Sequence, residues 1–167
     1  MTKNIQIVDD VDELIGHKKR DEIDYTKDTY RSSALWIINS RGEVLIAQRK
    51  TTRDKDPGKW GPSAAGTVEE GETYDTNVYK EAKEEIGLSG YTFKKLKKEK
   101  IDKPRSQFVQ WYGAVVDEPI EYFTAQLDEV EQLSWVKEEE LLDDVSKNPD
   151  KYVFLMISAL NFLRQFA

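Results

Sequence analysis

Runs of hydrophobic residues predict a set of β-strands in the middle of this chain. Residues 30–39 and 43–49 are rich in β-branched and aromatic side chains, and Ser40, Arg41 and Gly42 form a turn signal between them. Similar runs occur at residues 91–101, 108–116 and 133–136, and residues 4–8 alternate weakly. We therefore expect strands 30–39 and 43–49 to be neighbours in a core sheet.

Helical periodicity predicts three helices in the remaining segments. Residues 74–86 carry the apolar stripe Val78, Ala82 and Ile86, with Thr73 as N-cap and Gly87 as stop. A short helix is expected at residues 137–142. A longer one is expected at 148–166, with an apolar side made of Val153, Met156, Ile157, Leu160, Leu163 and Phe166. This order of elements predicts an α/β (α+β) fold with a mixed sheet between helical layers.

The stretch 66–88 carries the most informative chemistry. On a helix, Glu81, Glu84 and Glu85 stand at i, i+3 and i+4, so their carboxylates share one face within one turn. Like charges at this spacing destabilise a helix by about 0.2–0.5 kcal/mol per pair, so a compensating cation is expected. Mg²⁺ suits this set because it takes oxygen ligands and is usually shared between carboxylates and substrate phosphates.

The same stretch resembles the Nudix box, G-x5-E-x7-R-E-U-x-E-E-x-G-U, in which U is a bulky apolar residue. The matching residues are Gly66, Glu72, Glu81, Glu84, Glu85, Gly87 and Leu88. Lys80 replaces the usual Arg and cannot offer a bidentate fork to a carboxylate, and Ala82 is smaller than the usual aliphatic residue. The resemblance implies a Nudix-type α/β/α sandwich with a mixed sheet.

The resemblance also implies an activity, the metal-dependent hydrolysis of a nucleoside diphosphate linked to another moiety, X. Mg²⁺ or Mn²⁺ would be held by Glu81, Glu84 and Glu85, and the last two would act in catalysis. Lys80 would pair with a carboxylate of the motif. Glu72 would orient the loop or a metal-bound water, and we place it with Gly66 on the substrate-binding side of the site.

Two segments outside the motif supply further candidates. Residues 49–61 are basic and rich in turn residues, and Arg49, Arg53 and Lys59 are the candidates there for binding substrate phosphate. In the family, an acidic residue before a Trp-bearing strand often completes the site. Glu129, which stands six residues before Trp135, is the choice here, with Asp128 and Glu131 as rivals.

Two other functions stay open at this point. The layout of residues 5–90 is similar to isopentenyl diphosphate isomerase, but that enzyme needs a Cys just before the motif glycine and a His just after it. Ala65 and Thr67 stand there instead, and the chain has no Cys. A non-catalytic Nudix module that binds a nucleotide is the second alternative, and the intact Glu81, Glu84 and Glu85 disfavour it.

Composition narrows the setting of this chemistry. The 167 residues are expected to form one domain, with residues 1–28 as an N-terminal strand or hairpin preface. A net charge of −7 disfavours duplex nucleic acid and anionic membranes as partners. The small diphosphate substrate is what the resemblance implies. With no Cys and no long apolar segment, we expect a cytoplasmic protein. Its assembly, monomer or homodimer, is undetermined, and the single histidine, His17, is expected to be solvent-exposed.

Overall fold

The computed structural model describes residues 3–163, and in this part of the chain it has nine strands and four α-helices. The strands are β1 (Ile5–Val8), β2 (Leu14–Lys18), β3 (Thr29–Ile38), β4 (Glu43–Arg49), β5 (Trp60–Gly61), β6 (Ala64–Thr67), β7 (Lys94–Ile101), β8 (Gln107–Val115) and β9 (Val130–Lys137). The helices are α1 (Tyr74–Ile86), α2 (Glu138–Lys147), α3 (Phe154–Ser158) and α4 (Leu160–Leu163). Within residues 3–163, no helix is long and apolar enough to cross a membrane.

The long strand β3 organises the sheet. It pairs in parallel with β8 from Tyr30 opposite Gln107 to Ile38 opposite Val115, and antiparallel with β1, β4 and β6. β7 extends the sheet beyond β8, and β9 pairs with β4. The predicted mixed sheet is therefore confirmed, and β3 and β4 are joined by the predicted hairpin.

Helices cover both faces of this sheet. Successive side chains of a strand point to opposite faces, and β3 uses both sets: Ala34 and Trp36 pack with α2, α3 and α4, whereas Leu35 and Ile37 pack with α1. All four side chains are fully buried. A strand buried on both faces reads as a continuous apolar run, which explains the sequence ALWII in β3.

The N-terminal hairpin of β1 and β2 belongs to this sheet because β1 pairs with β3. Asp12 in its turn is buried and accepts hydrogen bonds from Arg31 Nε (2.7 Å), Lys98 Nζ (2.6 Å) and Tyr74 OH (2.9 Å). Four elements thus meet at one carboxylate. Nearby His17 is exposed on β2, as predicted.

Helix α1 has the predicted limits. The Thr73 hydroxyl accepts a hydrogen bond from the Thr76 N–H at 3.1 Å, and Gly87 ends the helix with φ +68°. Val78, Ala82 and Ile86 are buried, so the predicted stripe is confirmed. The Thr124 N–H donates to the Ile86 carbonyl at 3.0 Å, which satisfies one of the free carbonyls at the end of the helix.

The predicted helix 148–166 is wrong. The chain forms a short 3-10 turn at Pro149–Lys151, leaves helical geometry, and resumes as α3 and α4. The Asn148 side chain donates to Asp144 (2.7 Å) and does not cap a helix, and the Val153 N–H donates to the Trp60 carbonyl (2.9 Å). That contact with β5 fixes the break. Val153, Met156 and Leu163 are nevertheless buried, and Phe166 lies outside the described residues.

Other boundaries shift by a few residues. The helix expected at 137–142 runs on to Lys147 as α2. β7 begins at Lys94, after the expected start at residue 91, and β9 begins at Val130, before the expected start at residue 133. Trp60 packs against the core.

Replacing Gly87 by Ala should destabilise the protein more than the same change at Gly90. Both glycines have positive φ, which costs an alanine about 1–2 kcal/mol. A Cβ on Gly87 would also lie 3.2 Å from Thr124 Cβ, whereas nothing lies within 4 Å of one on Gly90. We expect a further loss of about 1 kcal/mol for Gly87→Ala. Urea unfolding of the two variants tests this, and equal losses would contradict it.

Candidate active site

A cleft of about 670 Å³ opens beside α1 and the ends of β4, β6 and β9. Its walls include Gly66, Glu81, Glu84 and Glu85 from the acidic motif and Glu129 from the segment before β9. Because α1 buries Val78, Ala82 and Ile86 against the sheet, its acidic residues are left facing this opening. The sequence candidates from these distant segments are therefore brought to one place.

Burial strongly affects Glu85, the innermost of the three carboxylates. One of its oxygens accepts a hydrogen bond from the Ala65 N–H at 3.2 Å. Burial raises the pKa of Glu85 well above its usual range, and the charges of Glu81 and Glu129 raise it further, while Arg49 acts in the opposite direction. The ionised form of Glu85 is thus costly until a cation approaches.

Glu81 lies closely against Gly66. A Cβ on residue 66 would stand 2.2 Å from Glu81 Cδ, so only glycine leaves room for this carboxylate. Burial raises the pKa of Glu81 to about 7, the charges of Glu84 and Glu129 add to the shift, and Lys80 opposes it. Gly66, placed with the substrate-binding residues from the sequence, therefore also determines where Glu81 stands.

Lys80 pairs with acidic side chains around the base of the cleft. Its ammonium lies 2.8 Å from Glu72, 3.5 Å from Glu69 and 3.8 Å from Glu81. Desolvation lowers the pKa of Lys80, but the hydrogen bond to Glu72 and the charges around it raise the pKa overall. The predicted pairing with a carboxylate of the motif is present.

Glu72 is held by side chains of α1. Its carboxylate is nearly buried and accepts hydrogen bonds from Lys80 (2.8 Å) and Asn77 (2.9 Å). It does not line the cleft, although it was placed on the substrate-binding side from the sequence. The contacts instead fix the loop before α1 to the helix.

Two of the three basic residues predicted to bind substrate phosphate lie at the cleft. Arg49 and Arg53 line the cleft, and Arg53 forms an ion pair with Glu129 at 3.1 Å. Arg49 Nε donates to the Lys55 carbonyl (2.9 Å), and burial lowers the pKa of its guanidinium. Lys59 does not line the cleft, and its ammonium lies 3.9 Å from Asp56.

Glu129 is held by backbone contacts on two sides. Its carbonyl accepts a hydrogen bond from the Lys50 N–H (3.0 Å), and its N–H donates to the Gln126 carbonyl (3.0 Å). The Gln126 N–H in turn donates to the Glu85 carbonyl (2.9 Å). Its rivals lie elsewhere: Asp128 and Glu131 are exposed and do not line the cleft. The segment 117–129 thus joins the end of α1 to the loop after β4.

Sequence reasoning did not select a group of polar residues in the other half of the cleft. They are Tyr25, Tyr30, Lys55, Arg105 and Gln107. Lys55 was visible as part of a basic segment, but nothing local indicates Arg105. The parallel pairing of Tyr30 with Gln107 is what brings the chain around Arg105 to this place.

The donor set of the acidic half suits a divalent metal ion. Glu81, Glu84 and Glu85 offer carboxylate oxygens, the ligands preferred by hard cations. The raised pKa values of Glu81 and Glu85 indicate negative charge that lacks compensation. As they stand in residues 3–163, no three acidic or histidine side chains converge on one point as ligands, so binding requires side-chain rotation.

Comparisons with known proteins agree with this geometry. The model of the NUDIX domain matches residues 29–156. An uncharacterized Nudix hydrolase of Yersinia pestis is 29% identical over 89 residues, which is 53% of this chain and 49% of that protein, so the match spans about half of the relative's length. A prenyl-diphosphate phosphatase of Methanosarcina mazei is 28% identical over 150 residues, or 89% of this chain and 87% of that protein.

Among solved structures, the fold is similar to that of DR0079 from Deinococcus radiodurans. The TM-score is 0.76 at 21% identity, and the alignment covers 87% of this chain and 90% of that one. At this identity the likeness concerns the fold alone. It supports the arrangement of a mixed sheet with few helices described above.

Glu81→Gln should make the metal-free protein more stable near pH 8. The raised pKa means that the folded protein keeps this proton between about pH 4.5 and 7, where the unfolded chain has lost it. The free energy of unfolding therefore falls as pH rises through that window, and Gln removes this loss, worth about 1 kcal/mol or more. Urea unfolding in EDTA at pH 4.5 and 8 measures it. A variant whose stability follows the wild type at both pH values would contradict the prediction.

Proposed function

The chain belongs to the NUDIX domain family, and we propose that it hydrolyses a small molecule in which a nucleoside diphosphate is linked to a second moiety X. The observation that carries this proposal is the cluster of Glu81, Glu84 and Glu85 in one cleft with Glu129 and two arginines. Nudix hydrolases generally use a divalent metal ion, and we propose Mg²⁺ or Mn²⁺ as the ion here.

Glu81, Glu84 and Glu85 would hold the ion. When bound, it would offset the charge that develops on the diphosphate oxygens and favour deprotonation of water. The long side chains of Glu81 and of the exposed Glu84 can rotate towards the ion. Glu85 is held in place by its hydrogen bond from the Ala65 N–H. Lys80 and Glu72 act as positioning residues, because their ion pair ties the preceding loop to α1.

Glu129 is the proposed acceptor of the proton of the attacking water. The water oxygen forms a bond to one phosphorus, and the bond from that phosphorus to the bridging oxygen breaks, so that the electron pair leaves with the second phosphate. Arg53, at 3.1 Å from Glu129, keeps this carboxylate at the edge of the cleft. Arg49 and Arg53 are also the guanidinium groups placed to contact substrate phosphate oxygens.

A prenyl diphosphate is the second candidate substrate. The similarity to the Methanosarcina mazei prenyl-diphosphate phosphatase favours it, and Val153, Phe154 and Leu155 give the cleft an apolar border. A binding module without turnover is the third possibility. An assay that identifies the products separates all three possibilities. A nucleotide substrate and a prenyl diphosphate give different products, and a binding module gives none.

The direct test is a screen of purified protein with Mg²⁺ or Mn²⁺ and chromatographic detection of the products, since cleavage of a diphosphate linked to X yields two phosphate monoesters and no free phosphate. The panel holds nucleoside diphosphates and triphosphates, dinucleoside polyphosphates, nucleotide sugars, coenzyme diphosphates and prenyl diphosphates. We expect turnover of a compound of the type nucleoside diphosphate linked to X, and loss of turnover in excess EDTA. Full activity in EDTA would exclude the proposed mechanism.

Glu84→Gln and Glu85→Gln should each lower kcat about a hundredfold or more. Each substitution removes a negative charge that acts on the transition state through the bound ion, so the loss should appear in kcat. Glu139→Gln, on the exposed side of α2, is a matched control and should behave as wild type. An effect confined to KM would argue against the catalytic assignment.

Glu129→Gln should lower kcat, and Glu131→Gln should not. The two residues flank Val130, the first residue of β9. Glu129 lines the cleft, whereas Glu131 is exposed, does not line it, and lies 3.5 Å from Lys50. Loss of a general base typically costs about 10²–10⁴-fold. Steady-state kinetics with saturating metal give the comparison, and unchanged kcat in Glu129→Gln would remove it from the mechanism.

A further inference from the structure

The half of the cleft away from the acidic motif has a different chemical character. Tyr25, Tyr30, Lys55, Arg105 and Gln107 line it. These residues come from the loop before β3, from β3 itself, from the loop after β4 and from the start of β8. Their side chains mainly offer hydrogen-bond donors and positive charge, in contrast to the carboxylates around Glu85.

Lys55 and Arg105 converge on the ring of Tyr25. The Lys55 ammonium lies 3.6 Å from the ring centroid and donates to the Tyr25 hydroxyl. The Arg105 guanidinium carbon lies 6.0 Å from the same centroid. Tyr30 packs edge-on against Tyr25 with 5.8 Å between centroids. Two cations therefore lie within 6.0 Å of the centroid of one aromatic ring.

The acidic partner of this cluster is Asp56, whose carboxylate lies 3.2 Å from Arg105. Asp56 has φ +49°, so its backbone holds the loop in a left-handed conformation directly after Lys55. Asp54 also lines the cleft but is exposed, so Asp56 is the carboxylate in direct contact with Arg105. Burial and the like charge of Arg53 lower the pKa of Arg49, and Arg105 contributes to the same shift.

The buried polar groups of this half point to the same kind of ligand. Gln107 is only 8% exposed, and its amide oxygen already accepts a hydrogen bond from the Ser32 hydroxyl at 2.9 Å. Its amide nitrogen is therefore the group left for a ligand, and it is a donor. Burial raises the pKa of Tyr30 to about 12, so its hydroxyl keeps its proton.

We propose that this half of the cleft, built around Tyr25, Lys55 and Arg105, binds a second anionic group, a phosphate monoester or a carboxylate, on moiety X. The inference rests on the proposed function, since X is the part of the substrate beyond the diphosphate. Arg49 lines the same cleft as Glu85, and its Nε donates to the Lys55 carbonyl at 2.9 Å, so it lies between the two halves. If the diphosphate of the substrate is bound at the acidic half, its moiety X would extend to the cluster around Tyr25.

The test uses pairs of diphosphate compounds that differ by one anionic group on X. Suitable pairs are UDP-glucuronate with UDP-glucose, GDP-mannuronate with GDP-mannose, and the 1″-phosphate of ADP-ribose with ADP-ribose, with isopentenyl diphosphate as an additional compound. We expect kcat/KM to be at least about tenfold higher for the charged member of one or more pairs. No preference in any pair, or isopentenyl diphosphate as the best substrate, would overturn the proposal.

A double variant, Lys55→Gln with Arg105→Gln, checks that the cluster causes the preference. It should lower kcat/KM for the charged member about tenfold more than for the uncharged member, mainly through KM. The control is Lys27→Gln with Arg41→Gln, which removes the same charge from exposed positions outside the cleft and should keep the preference. Equal losses for both members in the first variant would contradict the subsite. Thermal melts of both variants verify folding.

Failure of the proposed function would be separable from failure of the subsite. If no compound of the panel is turned over, the hydrolase proposal fails, and the same pairs can be titrated calorimetrically into the wild type with Mg²⁺. A dissociation constant about tenfold lower for the charged member, lost in the double variant, would still support the subsite. Equal dissociation constants within every pair would refute it.

Discussion

The desolvation of carboxylates along one face of α1 is the constraint on which the site depends. The helix must bury Val78, Ala82 and Ile86, and this orientation turns Glu81 and Glu85 into the cleft. Burial then raises the pKa of both groups because it disfavours their ionised forms. The neighbouring residues have to accommodate these carboxylates. Gly66 leaves space for Glu81, the Ala65 N–H donates to Glu85, and Lys80 offsets part of the repulsion.

The topology of β3 explains why the cleft has two chemically different halves. Its antiparallel neighbour β6 brings Ala65 and Gly66 beside the acidic helix, while its parallel neighbour β8 begins next to Tyr30 and carries the chain through Arg105 and Gln107. One strand therefore fixes the relative position of the acidic face and of the basic, aromatic face. A change in the β3–β8 register would move Gln107 and leave Glu85 in place.

What the sequence could predict was governed by how local the determining interactions are. The limits of α1 follow from Thr73 and Gly87, which act within one turn of the helix, and they were predicted correctly. The break after Asn148 depends on the hydrogen bond from Val153 to Trp60, about ninety residues away, and periodicity gives no sign of it. Arg105 was not selected for the same reason, because only strand pairing places it near Tyr25.

Unequal charge in the two halves also links stability to ligand binding. Acidic groups crowded on α1 disfavour the folded, metal-free protein above neutral pH, and a ligand that binds only the folded state stabilises it by RT ln(1 + [L]/Kd). Burial and the like charges of Arg53 and Arg105 lower the pKa of Arg49, so the basic half favours an anion. A cation at Glu85 and an anion at Arg105 would each relieve repulsion in its own half. Arg49 lines the cleft with Glu85 and donates to the Lys55 carbonyl, so it connects the two halves. The proposed substrate, a diphosphate with a further negative group on X, would place negative charge in the basic half and share a bound cation with the acidic half.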